Sequence, residues 1–121
     1  MINFVRGFSM GGAMAMTLAY KYHWDLAGVF ALSSFLNYNS SVYKVLEQKS
    51  DVKRLPPLYM CHGNRDTVTD VEWAKETLNN LKSLGVKGEL DTFDIDHELI
   101  KEEIETLRYF IYKQLPNRSR L

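Results

Sequence analysis

The chain has 121 residues, enough for one domain, with 45% apolar and 25% charged residues, the ordinary balance of a globular protein in water. Lys plus Arg and Asp plus Glu each number 15, so the formal net charge is zero and the basic footprint of a nucleic-acid binder is missing. A single cysteine, Cys61, excludes an internal disulfide and fits a reducing compartment. No apolar run approaches the roughly 18 residues of a membrane span, and the start Met1-Ile2-Asn3-Phe4 carries neither a signal-peptide pattern nor a myristoylation glycine. The expectation is a soluble, cytoplasmic protein with no transmembrane segment.

In chain order, apolar runs alternate with helical patterns, the signature of a parallel α/β sheet. Ile2 to Val5 reads as a short strand ending at a glycine. Gly11 to Tyr22 reads as an Ala- and Met-rich helix, with His23 at its C-terminus. Ala27 to Leu32 is a compact apolar run of the kind buried on both faces. Phe35 to Ser41 reads as a loop and Val42 to Gln48 as a short helix. Leu58 to Cys61 is a third strand, stopping at His62-Gly63. Thr69 with Glu72 makes a capping box for the next helix, with Val68 and Trp73 as its staple. The apolar stripe of that helix is Val71, Ala74, Leu78 and Leu81, and Gly85 closes it. Val86 to Phe93 is a fourth strand whose alternate charges, Lys87, Glu89 and Asp91, suggest a sheet edge. A last helix spans about Leu99 to Leu115, burying Ile100, Ile104, Leu107 and Ile111, with Pro116 beyond its end.

Gly7-Phe8-Ser9-Met10-Gly11 matches Gly-x-Ser-x-Gly, and its setting fits the chemistry. A nucleophilic serine on a sharp strand-to-helix turn projects its hydroxyl above the sheet, and here a strand precedes it and a helix follows. Gly7 and Gly11 would remove side chains where strand and helix come close. The helix N-terminus would aim backbone N–H groups and a positive dipole end at the site, with the Met10 N–H as one oxyanion donor.

A serine hydroxyl needs an adjacent base, oriented by a third group. In this arrangement the chain order is Ser, then Asp or Glu, then His. Two loops, each directly after a strand, supply these types: His62-Gly63-Asn64-Arg65-Asp66 and Asp94-Ile95-Asp96-His97. Active residues in open parallel sheets sit beyond the carboxyl ends of the strands, as Ser9, Asp66 and His97 do. Rival acids are Asp70, Asp94 and Asp96, although Asp70 would fall in a first helical turn and Asp96 would point away from His97 in extended backbone. His23 and His62 read as structural, and Cys61 as a small buried apolar residue. The three histidines have no ligand-like spacing, so neither a metal nor any other cofactor is expected.

With these residues in place the chain resembles the acyl-protein thioesterase/lysophospholipase family of α/β-hydrolases. The likeness is carried by Gly7 to Ala15 (GFSMGGAMA), Ala27 to Leu36 (AGVFALSSFL), Cys61-His62-Gly63 with Asp66, Leu81 to Val86 (LKSLGV) and His97-Glu98-Leu99. It implies a three-layer α/β fold with a mainly parallel sheet and a serine carboxylesterase that cleaves acyl esters or thioesters, including fatty acyl groups on protein cysteines. Its substrates would be acylated proteins or small acyl esters. It assigns Ser9 as nucleophile, Asp66 as acid and His97 as base. Phe35, Leu36 and Tyr38, beyond the second strand, would line the acyl pocket or pack a buried loop. Arg6 departs from the small or apolar residue usual before the elbow, and the base loop lacks the family's Gly before the histidine. A strand–helix unit takes roughly 25–30 residues, so a sheet of seven or eight strands needs about 200. Residues 1–121 are therefore expected to be one partial domain, the C-terminal half with four strands, lacking an N-terminal half that supplies the second oxyanion N–H.

Overall fold

The structure, a computed structural model, describes residues 3–49, 54–98 and 101–114. Strands β1 (Phe4–Phe8), β2 (Gly28–Leu32), β3 (Leu58–Gly63) and β4 (Gly88–Phe93) lie in the order β1-β2-β3-β4, and every neighbouring pair is parallel. Helix α1 (Met10–Thr17), continued by a π-helical turn Leu18–Tyr22, joins β1 to β2. Helix α2 (Ser41–Gln48) joins β2 to β3, α3 (Val71–Ser83) joins β3 to β4, and α4 (Lys101–Gln114) follows β4. Crossovers of one hand, stepping always the same way, put successive helices on one face of a sheet.

The cores show that layering. Val29, Ala31, Leu58 and Met60 pack with Met16 and Tyr20, with Val42 and Leu46 of α2, and with Ala74 and Leu81 of α3. The alternate residues Phe30, Leu32, Tyr59 and Cys61 face Leu107 and Phe110 of α4. Every residue of β2 and β3 is buried, which is why both read as unbroken apolar runs. The period-two alternation of side chains divides them between a three-helix face and a one-helix face.

The expected elements are present, with shifts that have local causes. Strand β1 runs through Gly7 to Phe8, pairing with Ala31 and Leu32, whereas the sequence reading ended it at the glycine; Ile2 lies outside the described residues. Strand β3 likewise continues through His62 and Gly63, paired with Thr92 and Phe93. The cap of α3 is Asp70, not Thr69: its carboxylate accepts the Glu72 N–H at 2.9 Å. Glu72 pairs with Lys75 instead of reaching back, and Val68 and Trp73 are exposed and form no staple. Thr69 is engaged elsewhere, giving its N–H to Asp66, so the helix starts one residue later. Gly85, at φ 101°, closes α3 as expected.

Helix α4 buries a different stripe from the one its aliphatic residues suggest. Glu103, Leu107 and Phe110 are buried while Ile104 is exposed; Leu99, Ile100 and Leu115 lie outside the described residues. The Phe110 ring stacks on Tyr59 at 5.3 Å and meets Phe30 edge-on at 5.2 Å, and these contacts set the rotation of the helix. Cys61 is the buried thiol expected: burial, with the Glu103 and Asp91 carboxylates adding and the Tyr59 hydroxyl opposing, pushes it up to about 12. Strand β4 ends the sheet with Glu89 exposed, while Asp91 turns in to accept the Tyr59 hydroxyl at 2.8 Å.

If Asp70 is the cap, Asp70→Ala in the complete protein should lower unfolding free energy by about 1 kcal/mol, read from a denaturant midpoint at unchanged m-value. No measurable change would place the cap elsewhere.

Candidate active site

The turn from β1 into α1 is tight because of its small residues. A Cβ on Gly7 would overlap the Gly11 carbonyl, and one on Gly12 would overlap the Ser34 hydroxyl. Gly11 itself has open space where its Cβ would be, so the close approach is carried by Gly7 and Gly12 and not by Gly11's own missing side chain. Ser9 takes φ 57°, ψ −122°, a conformation L-residues avoid unless their surroundings enforce it. Strand β2 does the enforcing. The Ser9 N–H donates to the Leu32 carbonyl at 2.7 Å. The Ser34 hydroxyl sits between the carbonyls of Ser9 and Leu32, at 2.8 and 2.7 Å, as their shared donor. The Gly12 and Ala13 N–H groups both go to the Ser9 carbonyl. Met10, as the first helical residue, keeps its N–H outside the helical ladder while its side chain is exposed.

The loops after β3 and β4 meet over this turn. His97 Nε2 lies 3.0 Å from Ser9 Oγ, and His97 Nδ1 lies 2.7 Å from Asp66 Oδ2. A carboxylate only accepts, so Nδ1 carries the proton and Nε2 is left as the acceptor for the serine hydroxyl. Asp66 Oδ1 takes the Val68 and Thr69 N–H groups at 2.9 and 2.8 Å. Burial opposes the charge on Asp66, but the Thr69 N–H, the His97 ring and the Val68 N–H outweigh it and hold the carboxyl below its usual range. A depressed carboxyl stabilises the fold above the ordinary carboxylate range, and that contribution fades as pH falls through the lowered value.

The two loops are joined to each other along their length. Asn64 and Arg65 N–H groups donate to Phe93 and Ile95 carbonyls, and the Arg65 guanidinium reaches both the Asp94 carbonyl and its carboxylate at 2.8 Å. Asp96 accepts from the Thr67 N–H at 2.9 Å and the His97 N–H at 2.7 Å. Gly63 leaves room for the Ile95 carbonyl, which a Cβ there would overlap. The rival acids thus have other partners: Asp70 caps α3, Asp94 pairs with Arg65, and Asp96 ties one loop to the other. His23 is an exposed helix-end residue.

The sequence pattern gives three further residues near the site no role in it. Phe8 packs its ring on His97, centroids 5.0 Å apart. Ser34 clamps the elbow from the end of β2. His62, read as structural, lies behind Asp66, its Nε2 2.7 Å from the Thr69 carbonyl and 3.4 Å from Asp66 Oδ2. A histidine four residues before an aspartate at a strand end was the available signal. Beyond β2, Phe35 lines a groove of about 490 Å³ with Asn37, Tyr38, Trp73 and Glu76. Leu36 points away from that groove into the core, its N–H held by the Thr77 hydroxyl at 2.9 Å. Among the described residues no three His, Cys, Asp or Glu side chains group as metal ligands, and no helix is long and apolar enough to cross a membrane.

A hydroxyl, an imidazole and a carboxylate joined in this way can pass a proton from serine to histidine as the serine oxygen attacks a carbonyl. Mouse lysophospholipase-like protein 1 is 47% identical over 95% of this chain and 48% of its own length. Acyl-protein thioesterase 1 of Gibberella zeae is 32% identical over 93% of the chain and 48% of its own length. The chain spans about half the length of the curated relatives it matches. Among solved structures, Zea mays acyl-protein thioesterase 2 superposes with a TM-score of 0.79 at 21% identity, over 94% of this chain and 56% of that one. Arabidopsis thaliana SOBER1 superposes with a TM-score of 0.81 at 23% identity, over 92% of this chain and 52% of that one. Residues 3–115 match the phospholipase/carboxylesterase family throughout, and the chain belongs to that family of α/β-hydrolases.

Proposed function

We propose that this chain is the triad-bearing half of a cytoplasmic serine hydrolase acting on acyl esters and thioesters, fatty acyl groups on protein cysteines among them. The observation that carries the reading is the continuous relay from Ser9 Oγ through His97 to Asp66, at 3.0 and 2.7 Å. Ser9 attacks the acyl carbonyl while His97 Nε2 takes its proton, and Asp66 holds the tautomer and balances the imidazolium. The Met10 N–H faces the developing oxyanion. His97 then protonates the leaving thiol or alcohol, and water, activated by the same histidine, releases the acyl group. Phe35, Tyr38 and Trp73 offer an apolar wall for the acyl chain. The relatives named acyl-protein thioesterase support the choice of substrate class.

A fluorophosphonate probe on the complete protein tests the roles. Ser9→Ala should abolish labelling and lower turnover by about 10⁶. Asp66→Asn should lower turnover by about 10⁴ through the wrong histidine tautomer, with Asp70→Asn and Asp96→Asn far milder. Persistent labelling of Ser9→Ala, or Asp96→Asn as the damaging change, would refute these assignments.

The 121-residue chain by itself is proposed to be inactive. Among the described residues strand β1 pairs only with β2, although the strand before a nucleophile elbow is ordinarily central to its sheet. Met10, Met14, Leu18 and Tyr22, spaced four apart along α1 and its π turn, are all exposed. An open edge beside apolar side chains is a recipe for edge-to-edge association. A complementary half, placed N-terminal to β1, would cover both and supply the second oxyanion donor, whose loss alone costs about 10²–10³ in turnover. Expressed alone, the chain should elute as aggregate and show no hydrolysis of a chromogenic short-chain ester. Joined to that half it should be monodisperse and active. A monodisperse, active 121-residue monomer would overturn this reading.

A further inference from the structure

His62 is the next-to-last residue of β3 and has no exposed surface. Its Nε2 is 2.7 Å from the Thr69 carbonyl, and a carbonyl only accepts, so Nε2 carries the proton. The same N–H lies 3.4 Å from Asp66 Oδ2, the carboxylate oxygen that receives His97 Nδ1. Thr69, whose carbonyl His62 holds, also gives its N–H to Asp66 Oδ1 at 2.8 Å. One ring nitrogen therefore touches the acid loop twice, at the carbonyl of the residue that anchors Oδ1 and at the edge of Oδ2. The other nitrogen, Nδ1, is buried with no hydrogen-bond partner among the described residues. An unpartnered buried nitrogen is unfavourable, and a leucine or phenylalanine would fill the same core space without it. What the imidazole adds over such a filler is its single directed N–H.

We propose that His62 is a positioning residue for the triad, its Nε2–H fixing the Thr69 turn and orienting the Asp66 carboxylate toward His97. The proposal rests on Asp66 acting as the triad acid. His62 never touches substrate. Without its N–H the acid loop can settle with Oδ2 turned away from His97 Nδ1, and the imidazole loses the orientation that aims Nε2 at Ser9. The step affected is the proton transfer, and ground-state binding of the ester is not.

The glutamine–asparagine pair isolates the donor. Glutamine can place its amide nitrogen where Nε2 stands, whereas the shorter asparagine amide ends near the position of Nδ1 and cannot reach the Thr69 carbonyl. Hydrolysis of a chromogenic ester is measured on the complete protein, with a melting curve for each variant. His62→Asn should lower kcat by about 10- to 100-fold, the scale of a misplacement of about 1 Å, with KM changed less than about twofold. His62→Gln should stay within about threefold of the parent. In an Asp66→Asn background His62→Asn should add less than about twofold, because residues that act as one unit are not additive. Equal kcat for the two His62 variants, a loss in KM instead of kcat, an effect additive with Asp66→Asn, or failure of both variants to fold would each overturn the proposal. If Asp66→Asn is damaging while His62→Asn matches the parent, His62 alone is misread. If Asp66→Asn leaves turnover intact, the triad reading falls and this proposal with it.

Discussion

The backbone at Ser9 is held in an unfavourable conformation by contacts that leave it nowhere else to go, and the rest of the site is arranged around that fact. Gly7 lets α1 come down against the end of β1. The chain must then reverse within one residue, and the strain falls on Ser9 at φ 57°. Such strain of about 1–3 kcal/mol persists only when surrounding structure over-determines it. Here the neighbouring strand does so: the Leu32 carbonyl takes the Ser9 N–H, and the Ser34 hydroxyl bridges the carbonyls of both residues. The elbow is thus fixed from β2, a strand buried along its whole length.

The parallel register does the remaining placement. All four strands end at one edge of the sheet, so three turns distant in sequence become neighbours in space. Register alone sets loop origins and not side-chain positions. Those come from the seam between the loops after β3 and β4, where Arg65 reaches Asp94, Asp96 collects N–H groups from both loops, and Ile95 is buried beneath them. His97 is held from three directions: its own N–H by Asp96, its ring nitrogen by Asp66 and its ring face by Phe8.

What could be read in the sequence was what depends on local pattern. The elbow was legible because Gly-x-Ser-x-Gly between a strand and a helix is a local steric requirement. Strands β2 and β3 were legible because burial on both faces forces apolar runs. Strand ends and chain order, both one-dimensional, made Asp66 and His97 candidates, and the family resemblance chose Asp66 from among the rival acids. What stayed hidden depends on side chains meeting across elements. Phe8 occupies a variable position of the motif, so nothing in its neighbours marks its contact with His97. The buried stripe of α4 is set by rings on β2 and β3, which hold Glu103 inside and leave Ile104 outside against simple hydropathy. Thr69 looked like a cap because its residue type suits one; its N–H had a stronger claimant in the Asp66 carboxylate.

That division bears on which parts of the site the described residues can hold without help. The relay and its supports draw on β2, β3, the two joined loops and the start of α1. None of the hydrogen bonds that orient Ser9, His97 or Asp66 needs a neighbour on the open side of β1. Met10, Met14, Leu18 and Tyr22, along α1 and its π turn, are exposed as well. Cover on that side would thin the bulk water around the oxyanion and would add an N–H aimed at it, which are solvation and electrostatic effects. The Ser9–His97–Asp66 geometry and most of the transition-state charge stabilisation would then reside in different parts of the fold. The first is built by sheet register and loop pairing within this chain. Beyond the Met10 N–H, the second would need a surface closing over β1 from outside it.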